Sequence, residues 1–355
     1  MSMRGLLLSW LVLAGMFGAA SARADTTCTA LAPVTLPFGT ITSGAAGVTT
    51  ANISITINCS TLALSALASA SVRMCIGLGP GSTGTTLLPN RSMAINASAP
   101  LGGGDSLAYQ LYSDASFSTA WGQVPAGSPA AAVIDLNYTV SLLGGSGTAS
   151  ITLYGRIPAS QILSAGTFSS SFTGADVTLQ YAYNERLLLA APTPATCNTL
   201  SGVTGNKTAS NAFTFVTSAT VLPQCSTYVT TDMDFGSNAG AVSANIDQTS
   251  TIRLTCINRT AYTVGLDNGQ NASGSVRRMR MTPAGGGSSY YIPYELYRDT
   301  ARSQRWGTTI NTDTVAGTGS GAAQTLTVYG RTPPTSGALP AQGSYNDVIQ
   351  VTITY

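Results

Sequence analysis

The sequence predicts an all-β protein built from two tandem sandwich domains, and three observations carry that expectation. Only 8% of residues are charged, while Gly, Ser, Thr, Ala and Val dominate. That leaves too few Glu, Lys and Arg to cover exposed helical faces and supplies many strand and turn formers. Apolar residues recur with period two. Ile53, Ile55 and Ile57 alternate with Ser54, Thr56 and Asn58, and Val351, Ile353 and Tyr355 alternate with Thr352 and Thr354. β-Branched residues at that period mark half-buried strands. Finally, the chain contains itself twice.

The repeat runs in one order through both halves. Cys28 and Cys59 stand 31 residues apart, as do Cys225 and Cys256. Phe38-Gly39 matches Phe235-Gly236 at the same offset, and Ala51-Asn52-Ile53 resembles Ala244-Asn245-Ile246. Leu111-Tyr112-Ser113-Asp114 then answers to Leu296-Tyr297-Arg298-Asp299, and Trp121-Gly122 to Trp306-Gly307. Tyr154-Gly155-Arg156 answers to Tyr329-Gly330-Arg331, and Val177 to Tyr181 answers to Val351 to Tyr355. Two copies make tandem domains rather than a solenoid. Glycine-rich stretches such as Gly102-Gly103-Gly104 and Gly285-Gly286-Gly287 separate the strands.

The elements follow in order. Residues 1–24 read as a secretory signal peptide: Arg4, an apolar run from Leu6 to Phe17, and the small-x-small site Ala22-Arg23-Ala24. That run is shorter than a membrane-spanning helix requires. The first domain is expected over 25–200 and the second over 201–355. Six cysteines in an exported chain favour disulfides. Cys28 is expected to pair with Cys59 and Cys225 with Cys256, each closure worth roughly 3–4 kcal/mol in the chain-entropy model. Cys75 and Cys197 remain and are expected to form a third bond. No cysteine pair has CxxC spacing and the chain has no histidine, so no metal is expected. No cofactor is expected either.

A stretch rich in Pro, Ala and Thr, from Ala190 to Ser210, reads as a linker. After it Phe213, Phe215, Ala219 and Val221 alternate with polar residues, just before Cys225 opens the second repeat. This segment is expected to complete the first domain in cis. The second repeat stops on its last strand, so Val351, Ile353 and Tyr355 are expected to form an edge awaiting a strand from elsewhere. Such edges are used for β-strand addition.

The pattern Cys…Phe-Gly…Cys…Leu-Tyr-x-Asp…Trp-Gly…Tyr-Gly-Arg-x-Pro…Val-Thr-x-Thr-Tyr resembles the spore coat protein U domain, found in subunits of archaic chaperone–usher pili. The resemblance covers nearly all of the chain after residue 24, and two repeats resemble a tip adhesin. It implies immunoglobulin-like β-sandwich domains, the second incomplete and lacking its last strand. It implies a periplasmic pilus chaperone, an outer-membrane usher and an adjacent pilin subunit supplying a donor strand. The implied place is the pilus tip at the cell surface, and the implied role is adhesion and biofilm formation. Only Asp25 to Thr27 precede Cys28, too few for a donor strand, which agrees with a tip position. The competing function is a secreted spore or cell-surface coat protein.

An enzyme is not expected. Without histidine the usual Ser–His and Cys–His nucleophile arrangements cannot form. Asp114 and Asp299 read as turn residues, Arg156 and Arg331 as structural contacts, and Trp121 and Trp306 as core. A net charge of +2 gives no footprint for nucleic acid. Spacing instead points to binding loops. Cys59 to Leu111 is 52 residues against 40 for Cys256 to Leu296, and Trp121 to Tyr154 is 33 against 23 for Trp306 to Tyr329. The extra residues include Leu62, Leu64 and Leu67 in one insertion and Val124, Pro125, Val133 and Ile134 in the other. Apolar loops on a rigid sandwich are expected to bind an abiotic or host surface.

Overall fold

The computed structural model describes residues 25–31, 34–62, 68–97, 104–124, 129–337 and 339–355. The signal-peptide expectation, and Leu64, Leu67 and Pro125, lie outside the described residues.

Period-two segments become strands throughout. The N-terminal half of the chain holds β1 (Thr26–Ala30), β2 (Val34–Ile41), β3 (Thr49–Thr61), β4 (Ala68–Leu78), β5 (Arg91–Ile95) and β6 (Ser106–Tyr112). It continues through β7 (Ala132–Val140), β8 (Gly145–Ile157), β9 (Gly166–Phe172), β10 (Val177–Leu187), β11 (Gly205–Ser210) and β12 (Phe215–Val221). The C-terminal stretch holds β13 (Cys225–Thr230), β14 (Ile246–Cys256), β15 (Ala261–Leu266) and β16 (Arg277–Met281). It ends with β17 (Tyr290–Tyr297), β18 (Val315–Thr318), β19 (Ala323–Thr332) and β20 (Val351–Thr354).

These strands form two sandwiches. In the first, a sheet ordered β1-β3-β8-β6-β5-β9-β12-β2 faces one ordered β11-β10-β4-β7. In the second, β13-β14-β19-β17-β16 faces β18-β15-β20. Each core is filled from both of its sheets. Leu36, Ile55, Leu153, Phe168 and Phe215 meet Met74, Ile76, Leu179 and Tyr181 in the first. Leu254, Leu296 and Val328 meet Val264 and Leu266 in the second.

Pairing fixes the equivalence of the units. Cys28 lies opposite Cys59 and Cys225 opposite Cys256, and each pair is disulfide-bonded across its ladder. Thr50 faces Arg156 as Asp247 faces Arg331. That register equates Ile53 with Ser250, four positions away from the match suggested by Ala51-Asn52-Ile53 and Ala244-Asn245-Ile246. Those three residues recur in sequence without recurring in structure.

The first unit is the longer one. Its β4, β7 and β10 span 11, 9 and 11 residues, against 6, 4 and 4 for β15, β18 and β20. The stretch read as a linker is structured. Cys197 is bonded to Cys75 on β4. Between them the chain is stitched back to β4 and β10: Arg73 Nη1 donates to Ala195 O at 2.8 Å, Ala191 N to Ser69 Oγ at 2.8 Å, and Asn184 Nδ2 to Pro192 O at 2.7 Å. Residues 205–210 then form β11 on the edge of β10.

The chain passes from one unit to the other through Leu222, Pro223 and Gln224. Across the junction Arg259 makes a two-point ion pair with Asp105, Nε to Oδ1 at 3.0 Å and Nη2 to Oδ2 at 2.8 Å. Ala165 N also donates to Asn258 O at 2.8 Å.

Candidate functional site

The segment ahead of Cys225 is an interior strand of the first unit's larger sheet, second from its edge. β12 runs antiparallel to β9, from Phe215 opposite Phe172 to Val221 opposite Gly166. Its other flank runs parallel to β2, from Phe215 beside Val34 to Val221 beside Ile41. Phe213, Phe215, Ala219 and Val221 are all buried, and the Phe215 and Phe172 rings lie 4.9 Å apart. Thr217, between them on the inward face, is fully buried and donates to Ser170 O at 3.4 Å. A threonine interrupting an apolar alternation hides this position in the sequence; the parity of its place in the strand is the available signal.

The same slot in the second unit holds no strand among the described residues. Phe235 is the counterpart of Phe38 on β2. Arg280 bridges Asn346 as Ala94 of β5 pairs Ser169 of β9, which makes 345–349 the counterpart of β9. A groove of about 550 Å³ opens between these stretches. Met233 and Phe235 line one side and Ile349 the other, with Leu266 of β15 and Val351 of β20 from the facing sheet.

Val351 lines the groove, Ile353 packs into the second core without lining it, and Tyr355 is half exposed. The last strand of the repeat belongs to the smaller sheet, whereas the vacant slot lies in the larger one.

The apolar loops separate. Leu62 is 70% exposed at the end of β3. The ladders set Thr61 opposite Gly145, and Ala68 opposite both Val140 and Leu187. One end of the sandwich therefore gathers Leu62 with the β7–β8 turn residues Leu142 and Leu143 and with Leu187, Leu188 and Leu189, every one of them exposed. Of this group, the longer spacings in the first copy take in Leu62, Leu142 and Leu143, the last two within the Trp121–Tyr154 interval although sequence reasoning does not single them out. The other leucines are hidden in and beside the supposed linker. Val124 lies at the far end of β4, its backbone N against Gly77. Val133 pairs opposite Cys75 and Ile134 opposite Met74 in β7, where Ile134 packs into the core. The second insertion thus lengthens β7 and β8 and carries the exposed turn between them, while Val133 is 52% exposed on β7.

The charged groups hold turns and strand ends. Arg91 is fully buried and donates to Leu78 O at 2.8 Å, Gly79 O at 2.8 Å, Trp121 O at 2.7 Å and the Gln110 side chain. Burial lowers its guanidinium pKa to about 10. Arg277 repeats this set on Leu266 O at 2.9 Å, Trp306 O at 2.7 Å and the Glu295 carboxylate. Trp121 Nε1 donates to Ile76 O at 2.7 Å and Trp306 Nε1 to Val264 O at 2.8 Å. Asp114 accepts from Ser116, Ser118 and Thr119, and these hydrogen bonds, that of Ser116 foremost, hold its carboxyl far below the usual range. Arg331 forks onto Asp247 at 2.7 and 2.8 Å, while Arg156 lies over the Phe117 ring. Among the described residues no cluster of three or more Cys, Asp or Glu is gathered as a metal site requires.

The family pattern of the Spore Coat Protein U domain matches residues 15–175 and 211–352. The chain belongs to the spore coat protein U domain family. Its two matches begin 13 residues before Cys28 and 14 before Cys225, so the second includes β12. What falls between them, 176–210, holds β10, the Cys197 loop and β11. No curated protein gives a significant sequence match. Among solved structures the chain is similar to the chaperone–tip adhesion subunit pre-assembly complex of archaic chaperone–usher Csu pili of Acinetobacter baumannii. That match has 15% identity over 93% of this chain and 100% of that one, with a TM-score of 0.40. It is also similar to the CupB6 tip adhesin of Pseudomonas aeruginosa, at 12% identity over 93% of each chain and a TM-score of 0.32.

Proposed function

We propose that this spore coat protein U family chain is the tip subunit of a chaperone–usher pilus. It holds a surface with its first domain and joins the fibre by donor-strand complementation of its second. One observation carries the reading: the slot that β12 fills in the first unit is an open groove in the second, with Met233, Phe235, Leu266, Ile349 and Val351 among its lining. A subunit that is complete at one end and open at the other can finish a fibre but not extend it from the complete end.

The roles divide accordingly. Residues 25–200 form the adhesin domain and 201–355 the pilin domain, whose leading segment, Phe213 to Val221, closes the adhesin domain. Residues 1–24 direct export to the periplasm. A periplasmic chaperone covers the groove there, an outer-membrane usher receives the complex, and the adjacent pilin's strand replaces the chaperone. At the other end Leu62 and its leucine neighbours, with Leu64 and Leu67 of the same loop, meet abiotic or host surfaces and support biofilm formation. The adhesive work is burial of apolar area, at about 25 cal/mol per Å², and it requires no catalytic step.

Co-expression with a pilus chaperone of the archaic type tests the assembly half. The two proteins are expected to purify together from the periplasm. The double variant Met233→Asp with Ile349→Asp should lose the chaperone while all three disulfides still form. A wild-type chain that is soluble and monomeric alone, and ignores the chaperone, would sink the proposal.

A further inference from the structure

We infer that the donor completing the second unit is bipartite: a polar strand on the free edge of β20, then an apolar strand in the groove. The inference rests on the donor-strand reading above and names the pattern its partner must carry.

The first unit shows what completion involves. Its filling segment does not begin at β12. Residues 205–221 run continuously from one sheet to the other. β11 first pairs antiparallel with β10, Gly205 opposite Tyr183 through Ser210 opposite Thr178. Residues 211–214 then cross the open side of the sandwich. That crossing is anchored, with Asn211 N donating to Gly174 O at 2.7 Å, Gly174 N to Asn211 Oδ1 at 2.9 Å, and Ala212 N to Val177 O at 3.1 Å. Phe213 is buried on the way. β12 then enters the slot between β9 and β2.

The second unit lacks both halves among its described residues. β20 is the counterpart of β10, since Val351 to Tyr355 repeat Val177 to Tyr181. It pairs with β15 on one side only, and no strand covers its other side among the described residues. Of the positions that β11 covers on β10, Thr178 to Tyr183, the first four correspond to Thr352 to Tyr355. A donor that filled only the groove would leave this ladder of backbone groups unpaired.

The two halves differ in chemistry. β11 reads Gly-Asn-Lys-Thr-Ala-Ser with no fully buried residue, so it adds backbone hydrogen bonds and polar side-chain contacts, such as the Lys207–Asp25 ion pair at 2.6 Å, and no apolar packing. β12 alternates buried and half-buried positions along its whole length and supplies the apolar contacts. β11 also lies outside both stretches that match the family pattern. The neighbouring subunit should therefore present about six polar residues, a short crossing and about seven residues of alternating apolarity. Its first cysteine strand should follow within a few residues, as Cys225 follows Val221.

The chain's own route supplies the test. The full chain is extended after Tyr355 by a copy of residues 182–221, with Cys197→Ser in the copy. A second version adds Lys207→Pro and Thr208→Pro in the copy. Substituting adjacent positions removes a ladder N–H whichever of the two faces the edge. Amide exchange and thermal unfolding are then compared. The intact copy should slow exchange across both 345–349 and 352–355. The proline version should protect only 345–349 and unfold at least about 4 °C lower. Equal exchange and equal melting for the two versions would overturn the bipartite donor and leave the groove reading standing. Unprotected 345–349 in both versions would overturn the groove reading as well.

Discussion

At the scale of single residues, the two units are held by a buried arginine that sequence reasoning does not single out. Arg91 and Arg277 each satisfy carbonyls at a strand end and at the Trp-Gly turn. Leaving a buried carbonyl unpaired costs about 1–3 kcal/mol. Arg91→Met is therefore expected to destabilise the first unit by at least about 3 kcal/mol in chemical denaturation. Arg91→Lys should rescue little, because an ammonium cannot reproduce the planar fork. Glu295→Gln in the second unit should cost less than Arg91→Met, since it keeps the contact to Arg277 as Gln110 does to Arg91 and gives up the ion pair to Arg305 at 2.8 Å. A mild effect of Arg91→Met would refute this account. A lone arginine in a strand reads as solvated, which hides its role. The legible trace is its recurrence: Arg91-Ser92-Met93 and Arg277-Arg278-Met279 precede the Leu-Tyr motif in both copies. The cysteine pairs are easier to read, because equal spacing in two copies selects the partner.

At the scale of elements, β12 behaves as a core strand of a unit whose other strands all precede it. Its inward side chains are almost wholly out of water. Phe215→Ala should cost about 3–5 kcal/mol through lost burial and the cavity left beside Phe172. Val216→Ala, half-buried on the same strand, should cost little. Comparable losses for the two variants, measured by denaturation of the full chain, would place β12 outside the core. Alternation makes β12 readable, and two copies in the same order make the sandwich readable. β11 stays hidden because an edge strand that packs nothing needs no apolar residues, and a polar run looks like a linker. The Cys197 loop reads as a linker for a related reason. Its order comes from backbone hydrogen bonds to Ser69, Arg73 and Asn184, which composition does not register.

Over the whole molecule, the exposed leucines and the open groove lie on different units, one gathered at a strand-end tip and the other inside a sheet. Their effects should separate in the same way. Changing Leu62, Leu143 and Leu188 to Ser is expected to cut attachment to plastic by at least about tenfold while pili form at normal levels, and the residual attachment should vary little with salt. Undiminished attachment by normally piliated cells would point to a polar receptor site elsewhere. Equivalent variants of Val124 or Val133 should leave attachment unchanged, because both lie toward the other end of β4 from the leucines. Spacing locates the insertions correctly as differences between copies. It cannot say whether added residues become loop or strand, since both absorb apolar residues and only the pairing partner decides.

The short join at Leu222, Pro223 and Gln224 has a mechanical meaning. Any pull on the second unit reaches the first through the end of β12, a strand hydrogen-bonded along both flanks. Drawn along its length, such a strand must slide against two neighbours at once, so its bonds resist together and do not break in succession. The Arg259–Asp105 pair beside the join resists tilting that would turn sliding into peeling. Under the proposed tip role, load on the fibre would reach the adhesin unit as shear along β12.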